Sequence, residues 1–230
     1  MNWENNVSEV EIKYITLERT SRSENYEKHL KSIDLVASPI YAIDLRNTKE
    51  LSDINSFCIN KFRKRYKRYP TSSEIGCLLS HIKAISSLNF SKSLVILEDD
   101  ALFKLSSKKI IELINFIEKT KKYEIVILGF SKCDEISEYH LNMINPFVPT
   151  LSSKISKYSI GERFIHSTSG ALAYYISPSA QRKICTLKNF YHLADDWNFY
   201  KSLNIKIGYL YPSIVIEDIN QLSGLGHDIG

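Results

Sequence analysis

The chain has few of the residues that crosslink proteins. Four cysteines occur among 230 residues, and no two of them form a C-x-x-C pair. The spacing therefore predicts neither a zinc site nor a disulfide framework, and we expect the cysteines to be reduced and mostly buried, as in a cytoplasmic protein. They are Cys58, Cys77, Cys133 and Cys185.

Long hydrophobic runs are also missing. No apolar stretch approaches the length of about 20 residues that a membrane-spanning helix needs. The first residues, MNWENNVSEVEIKY, lack the basic and then apolar pattern of a signal peptide. With 43% hydrophobic and 24% charged residues, the composition predicts one sizeable globular domain.

Excess positive charge is confined to one segment. The net charge is +4, but KFRKRYKRY, Lys61 to Tyr69, carries six basic residues, and without them the balance is 24 minus 26, or −2. Apolar spacing predicts a helix over Ser52 to Tyr69 that ends at Pro70. Its basic face contacts anionic membrane headgroups or a phosphorylated acceptor, or is simply solvated. The basic residues are Lys61, Arg63, Lys64, Arg65, Lys67 and Arg68.

The strongest candidates for a binding or catalytic site lie in SLVILEDDALF, Ser93 to Phe103. Its apolar run is typical of a strand buried on both faces of a parallel sheet. The strand ends in three carboxylates, Glu98, Asp99 and Asp100. Adjacent carboxylates repel one another, and a divalent metal with oxygen ligands would offset that repulsion and hold a phosphorylated substrate. A solvated acidic turn is the alternative.

Neighbouring patterns predict an α/β fold around this strand. A helix over Lys108 to Lys122 and an apolar strand over Glu124 to Phe130 complete a strand–helix–strand unit. A first strand, Val10 to Leu17, leads into a polar turn whose arginines suit a nucleotide base or phosphate, unless the turn is only a solvated loop. A helix to about Ser32 follows, and IYAIDL, from Ile40, is a second strand.

A capping box, Thr71 to Glu74, opens the next helix, which carries a wide apolar stripe. Ser80 and His81 lie within that stripe, and a lone histidine there is more often a packing residue than a ligand. Gly76 in the first turn is unfavourable for a helix, so we expect another backbone to approach it closely.

The rest of the chain is less regular. Periodicity fades between Ser131 and about Glu162, which predicts a long loop that covers the site or holds an acceptor. Arg163 to Ser177 has the composition of a strand with a close approach at Gly170. Helices begin at Pro178 and near Asp195, with further strands at Ile205 to Tyr211 and Ile214 to Ile216.

Three motifs in order, EIGCLLSH, LVILEDDA and DDW, resemble glycosyltransferase family 25, the bacterial lipooligosaccharide galactosyltransferase group. YITLERTSR, IYAIDL and GALAYYISPSAQRKI fit the same pattern, so the resemblance spans nearly the whole chain. It implies a GT-A-like nucleotide-binding fold, with a mixed, mainly parallel sheet flanked by helices. It also implies an inverting transfer, usually of galactose from UDP-galactose, to a lipooligosaccharide acceptor.

The resemblance also implies roles for individual residues. Asp99 and Asp100, with Glu98, would bind a divalent metal, Mn²⁺ or alternatively Mg²⁺. Independently of the resemblance, His227 in the tail is a candidate for an extra ligand. Asp196, which aligns with the DW motif, would be the general base and Asp195 the helix cap. The reverse assignment is the alternative, and Glu217 and Asp218 are the next candidates for the base. Trp197 would offer its ring to the acceptor sugar. The donor-binding candidates are Thr16, Leu17, Glu18, Arg19, Arg22, Glu74, Gly76, Ser80, His81 and Gly170.

We expect a single domain, with donor binding in residues 10–130 and acceptor binding and catalysis in 131–230. Glu217 and Asp218 lie where the family often has a glutamine and a polar stretch, which leaves the acceptor open. A metal-dependent nucleotidyltransferase or phosphohydrolase would use the same carboxylates. A nucleic-acid-binding module fits less well, because the basic charge is local. The expected location is the cytoplasm, peripheral at the inner face of the inner membrane.

Overall fold

The computed structural model describes residues 10–46, 54–131, 135–164 and 170–218. Within these ranges the strands are β1 (Val10–Thr16), β2 (Ser38–Tyr41), β3 (Ser93–Glu98), β4 (Ala101–Phe103), β5 (Ile125–Gly129), β6 (Phe147–Ile155), β7 (Tyr158–Arg163), β8 (Ala173–Ile176), β9 (Ile207–Tyr211) and β10 (Val215–Glu217). The helices are α1 (Ser21–Ser32), α2 (Ile59–Tyr66), α3 (Ser72–Ile85), α4 (Ser107–Thr120), α5 (Glu135–Ile144), α6 (Pro178–Cys185) and α7 (Trp197–Ser202).

Eight of the strands form one sheet in the order β2-β1-β3-β8-β5-β9-β7-β6. The pairs β1–β2, β1–β3 and β5–β9 are parallel, and the other neighbours are antiparallel. Only β7 and β8 therefore run against the common direction. The predicted mixed α/β fold is confirmed, but β8 lies between β3 and β5, which are parallel without being neighbours. Strands β4 and β10 pair separately.

The central strand β3 is buried on both faces, as its apolar run predicts. Leu94 to Leu97 are all 0% exposed. Val95 and Leu97 pack into the core under α1 and α4, whereas Leu94 and Ile96 pack into the core under α3, α6 and α7. Helices therefore cover both faces of the sheet. The polar residues of this region lie at the carboxyl end of β3, where its apolar run stops.

Three sequence predictions of secondary structure are wrong. Residues 131–162 do not form a long loop, because α5 and the hairpin β6–β7 occupy most of them. Pro149 lies in β6, the edge strand of the sheet, where a proline is tolerated. The strand expected over 163–177 is divided, since Arg163 ends β7 and β8 begins at Ala173. The basic helix is shorter than predicted, because it begins only at Ile59, after the Cys58 cap, and Lys67 adopts a left-handed conformation that ends it.

Of the helices in the described ranges, none combines the length and apolar character that a membrane crossing requires. The cysteines described there, Cys58, Cys77 and Cys185, are free and only partly buried. Cys133 and His227 lie outside the described residues.

Candidate active site

The carboxylate cluster lies at the carboxyl end of β3, where the sequence predicts it. Glu98 is the last residue of β3, and Asp99 and Asp100 form the turn into β4. The adjacent parallel strand β1 ends at Thr16, whose hydroxyl donates to Asp99 Oδ2 at 2.6 Å. Two parallel strand ends therefore meet at this edge, which is where α/β sheets bind ligands.

A guanidinium from α1 neutralises part of the cluster. Arg22 Nε donates to Asp99 Oδ1, and Arg22 Nη2 lies 2.8 Å from Asp100 Oδ2. Arg22, a donor-binding candidate, therefore pairs with the two aspartates in this structure, and its contact with donor phosphate stays a prediction. One cation thus faces three carboxylates, and the cluster keeps an excess of negative charge.

Asp100 retains an unused acceptor. Its Oδ1 is buried and has no hydrogen-bond partner among the described residues. Burial, then repulsion from Glu98, raises the pKa of Asp100 to about 7, although Arg22 opposes the shift. An orphaned carboxylate oxygen in a negative environment fits a divalent cation. Asp99 fits less well, since both of its oxygens already accept hydrogen bonds.

The polar turn after β1 contributes little else to the cluster. Leu17 is half-buried, and its carbonyl accepts from the Thr20 hydroxyl at 3.4 Å. Glu18 and Arg19 are exposed and form only a loose ion pair, 3.7 Å apart. Of the candidates on this stretch, the structure brings Thr16 and Arg22 to the carboxylates and leaves Glu18 and Arg19 in solvent.

Helix α3 is held in place by three residues of the EIGCLLSH motif that were expected to bind the donor. Glu74 completes the predicted capping box with Thr71, which is confirmed. A Cβ on Gly76 would lie 2.6 Å from the Ile43 carbonyl oxygen, so the predicted close backbone approach is also confirmed. Ser80 Oγ donates to the Gly76 carbonyl at 2.6 Å and accepts from the Ile43 amide at 2.8 Å. These contacts fix α3 against the segment after β2.

His81 is the motif residue that reaches the carboxylates. Its ring is 1% exposed, and Nε2 lies 3.2 Å from Glu98 Oε1. Its Nδ1 lies 2.9 Å from the hydroxyl of Tyr174 on β8. Sequence reasoning missed Tyr174, because only the pairing of β8 with β3 places it beside His81.

The prediction that Asp195 caps α7 is wrong, because Asp196 is the cap. Asp196 Oδ1 accepts from the Phe199 amide at 2.9 Å. Arg65 Nε donates to Asp196 Oδ2 at 2.6 Å, and the Tyr66 hydroxyl donates to the same oxygen. Burial would raise the pKa of Asp196, but these hydrogen bonds outweigh it and lower the pKa.

Asp195 has the opposite environment. Its Oδ2 accepts from the Gly170 amide at 2.7 Å, and Gly170 has a φ of +82° beside Ser131, which only glycine tolerates easily. Burial raises the pKa of Asp195, the Gly170 amide opposes the shift, and repulsion from Glu98 adds to it. Of the two aspartates, Asp195 is therefore the one whose pKa is raised by the charge of Glu98.

Trp197 does not present a face to an acceptor sugar. Its side chain is 1% exposed, and its ring meets Tyr174 edge to face with centroids 5.5 Å apart. The prediction of acceptor stacking is wrong here, because the first turn of α7 packs this ring into the core.

The basic helix is partly committed to contacts within the chain. Arg65 binds Asp196, and Arg68 forms an ion pair with Glu74. Lys61 and Arg63 lie over the rings of Tyr191 and Tyr69, 5.2 and 4.2 Å from their centroids. All six basic residues, Lys61, Arg63, Lys64, Arg65, Lys67 and Arg68, remain accessible to solvent.

Comparison with known proteins identifies the family of the chain. A family model described as "Glycosyltransferase family 25 (LPS biosynthesis protein)" matches residues 11–198, a range that contains β1, the carboxylates, His81 and both aspartates before α7. The match places the chain in a class of sugar transferases of lipopolysaccharide biosynthesis. The chain is a member of glycosyltransferase family 25.

Two further comparisons add no functional information. No curated protein matches the chain. Among solved structures, "Crystal Structure of A197 from STIV" is 12% identical, with a TM-score of 0.40, and the match covers 90% of this chain and 82% of that one.

Proposed function

We propose that the chain is an inverting glycosyltransferase of the GT-A type that transfers a hexose, galactose from UDP-galactose, to a lipooligosaccharide acceptor. The observation that carries this proposal is the buried, unpartnered Asp100 Oδ1 at an edge where two parallel strands end. A nucleoside diphosphate bound there needs a cation between its phosphates and the protein. Family membership supplies the reaction class.

A divalent ion, Mn²⁺ or Mg²⁺, would be held by Asp100, whose Oδ1 has no hydrogen-bond partner among the described residues. When bound, it would stabilise the charge that develops on the departing UDP. Thr16 and Arg22 hold Asp99, and Arg22 also holds Asp100, so these residues orient the turn that presents Asp100.

The general base in this proposal is Asp195. It takes the proton of the acceptor hydroxyl while the acceptor oxygen bonds to the anomeric carbon and the bond from that carbon to the diphosphate breaks. The raised pKa of Asp195 favours proton uptake, and the Gly170 amide fixes its orientation. Asp196 suits this role less, because Arg65, Tyr66 and the helix amide occupy its oxygens.

Peripheral membrane contact is part of the proposal. The lipid-linked acceptor would lie at an anionic surface, and α2 with the residue after it would offer exposed Lys61, Arg63, Lys64 and Lys67 to that surface. Arg65 and Arg68 are assigned to internal ion pairs.

A panel of UDP-sugars tests the function. The purified protein is incubated with each sugar, with and without Mn²⁺, and with and without a lipooligosaccharide acceptor, and free UDP is measured. We expect UDP release from UDP-galactose only when acceptor and metal are both present. Release of pyrophosphate from a nucleoside triphosphate and a sugar phosphate would instead support a nucleotidyltransferase. Hydrolysis independent of acceptor would support a phosphohydrolase.

A further inference from the structure

Three side chains of different chemistry meet beside the carboxylate cluster. Cys77 and His81 lie one turn apart on α3, and Glu98 ends β3 next to them. A thiol sulfur, an imidazole nitrogen and a carboxylate oxygen, one from each residue, all lie within 4.8 Å of one another. We propose that these three residues form a second divalent-metal site, separate from that of Asp100, whose mixed ligands favour Zn²⁺.

The spacing of the nitrogen and oxygen donors suits a tetrahedral ion, and the sulfur lies within 4.8 Å of both. Nε2 of His81 and Oε1 of Glu98 are 3.2 Å apart. Two ligands that each lie about 2.0 Å from zinc at a tetrahedral angle are roughly 3.3 Å apart. The i, i+4 relation of Cys77 and His81 places both on the same face of α3, as in other helical zinc ligands.

His81 also has the outer contact that metal-binding histidines usually have. Nδ1 lies 2.9 Å from the Tyr174 hydroxyl, and the Tyr174 ring stacks against the imidazole with centroids 5.7 Å apart. When Nδ1–H donates to that hydroxyl, Nε2 keeps the lone pair that a metal requires. Such a partner fixes the tautomer and the ring orientation of a metal ligand.

Charge and ligand type select the metal. On binding, the ion would displace the proton of the Cys77 thiol to solvent. The resulting thiolate and the carboxylate of Glu98 would together neutralise the dication, which suits a buried position beside His81. Sulfur and imidazole favour Zn²⁺ over Mn²⁺ or Mg²⁺, which prefer oxygen ligands such as Asp100. The ion would tie α3 to the end of β3 and hold Glu98 in place. A water completes the tetrahedron.

Cobalt spectroscopy tests the site without any donor or acceptor. Co²⁺ is added to the metal-free protein, and the near-ultraviolet thiolate-to-cobalt band is recorded. We expect one band that saturates at one Co²⁺ per chain and disappears when Zn²⁺ is added. The Cys77→Ser variant should lose the band, whereas Cys185→Ser, the matched control, should keep it.

Two outcomes overturn the proposal: no thiolate band in the wild-type protein, or an unchanged band in Cys77→Ser. A second variant, Glu98→Gln, keeps the thiol and should weaken Co²⁺ binding by roughly tenfold or more. Unchanged affinity in that variant would also exclude Glu98 as a ligand. Because no sugar is present, failure here is independent of the UDP-release assay, and failure of that assay leaves this result unaffected.

Discussion

Asp195 and Asp196 are neighbours in the chain, yet they have opposite electrostatic environments. Asp196 accepts from Arg65, Tyr66 and a helix amide, which lower its pKa despite burial. Asp195 is held by one backbone amide and repelled by Glu98, and burial raises its pKa. A pair with separated pKa values divides its tasks, one residue for proton transfer and the other for structure.

Exchange of each aspartate for asparagine should therefore give different results. Asp195→Asn should reduce turnover by about 10²–10⁴ and leave UDP-sugar binding near normal, because a general base acts only in the chemical step. Asp196→Asn should lower the free energy of unfolding by about 1–2 kcal/mol, since a charged hydrogen-bond acceptor for Arg65 is lost. Steady-state kinetics and urea denaturation separate the two effects. If Asp196→Asn lost turnover and Asp195→Asn lost only stability, Asp196 would be the base instead.

Buried His192 makes the stability of the fold depend on pH. His192 is 0% exposed and stacks on Phe199 with centroids 3.9 Å apart. Neither of its ring nitrogens has a hydrogen-bond partner among the described residues. Burial lowers its pKa to about 3, so the folded protein keeps it neutral where the unfolded chain, with a pKa near 6.5, binds a proton.

This difference makes stability depend on pH. The unfolded state binds more protons, so stability contributed by neutral His192 is present above pH 6.5 and is lost as pH falls toward 3. His192→Phe should therefore be more stable than the wild type, and its advantage should grow by about 2 kcal/mol between pH 7.5 and 5.0. Urea denaturation at both pH values measures this change. His140→Phe, at an exposed position, is the control, and an advantage independent of pH would refute the explanation.

At the scale of elements, α2 serves two surfaces at once. One edge binds the start of α7 through Arg65, which also lies over the Phe199 ring, 5.4 Å from its centroid. Tyr66 adds hydrogen bonds to Asp196 and from the Leu193 amide. The remaining basic side chains face solvent. The helix therefore positions the segment that carries Asp195 while offering charge outward.

These two roles can be separated by substitution. Lys64→Glu with Lys67→Glu should weaken binding to anionic vesicles, since each basic residue near such a surface contributes about 1 kcal/mol. The same double variant should keep its melting temperature. Arg65→Gln should do the opposite, with a loss of about 1–2 kcal/mol in unfolding free energy and little change in vesicle binding. Vesicle sedimentation and thermal melting give both readouts, and unchanged vesicle binding in the double variant would show that α2 is only solvated.

The sequence correctly predicted those helices and strands whose signals lie within a few neighbouring residues. The run before Glu98 predicts a strand buried on both faces, and Thr71 with Glu74 predicts the start of α3, because both signals lie within a few residues. The close approach at Gly76 was also predictable, because glycine is unfavourable in a helix and its presence there indicates a packing reason.

Features that depend on distant contacts were not predictable in this way. Nothing near β8 shows that it enters the sheet between β3 and β5. The choice of Asp196 as the cap depends on Arg65 and Tyr66, which lie about 130 residues earlier in the chain. Trp197 at the start of a helix is compatible with either a sugar-binding face or a core position until its burial is known. The hairpin β6–β7 was predicted to be a loop because Pro149 disfavours a strand, and only its position at the sheet edge makes that proline acceptable.

Across the whole molecule, one edge of the sheet gathers residues from both halves of the chain. β1, α1, α3 and β3 provide Thr16, Arg22, His81 and the carboxylates, and the later half provides Asp195 through Gly170. Because β8 pairs with both β3 and β5, the two halves share one sheet. In the proposed mechanism, donor and acceptor would therefore meet at the end of β3.

Calorimetric titration with UDP tests most directly the central claim that this edge binds the donor diphosphate. UDP is titrated into the wild type, Asp100→Asn and Asp44→Asn, each with and without Mn²⁺. Asp44 is a control carboxylate, paired only with the exposed Arg46 among the described residues. We expect Mn²⁺-dependent binding in the wild type and Asp44→Asn, and a loss of roughly tenfold or more in Asp100→Asn. Equal UDP binding by all three proteins, with or without metal, would contradict the account.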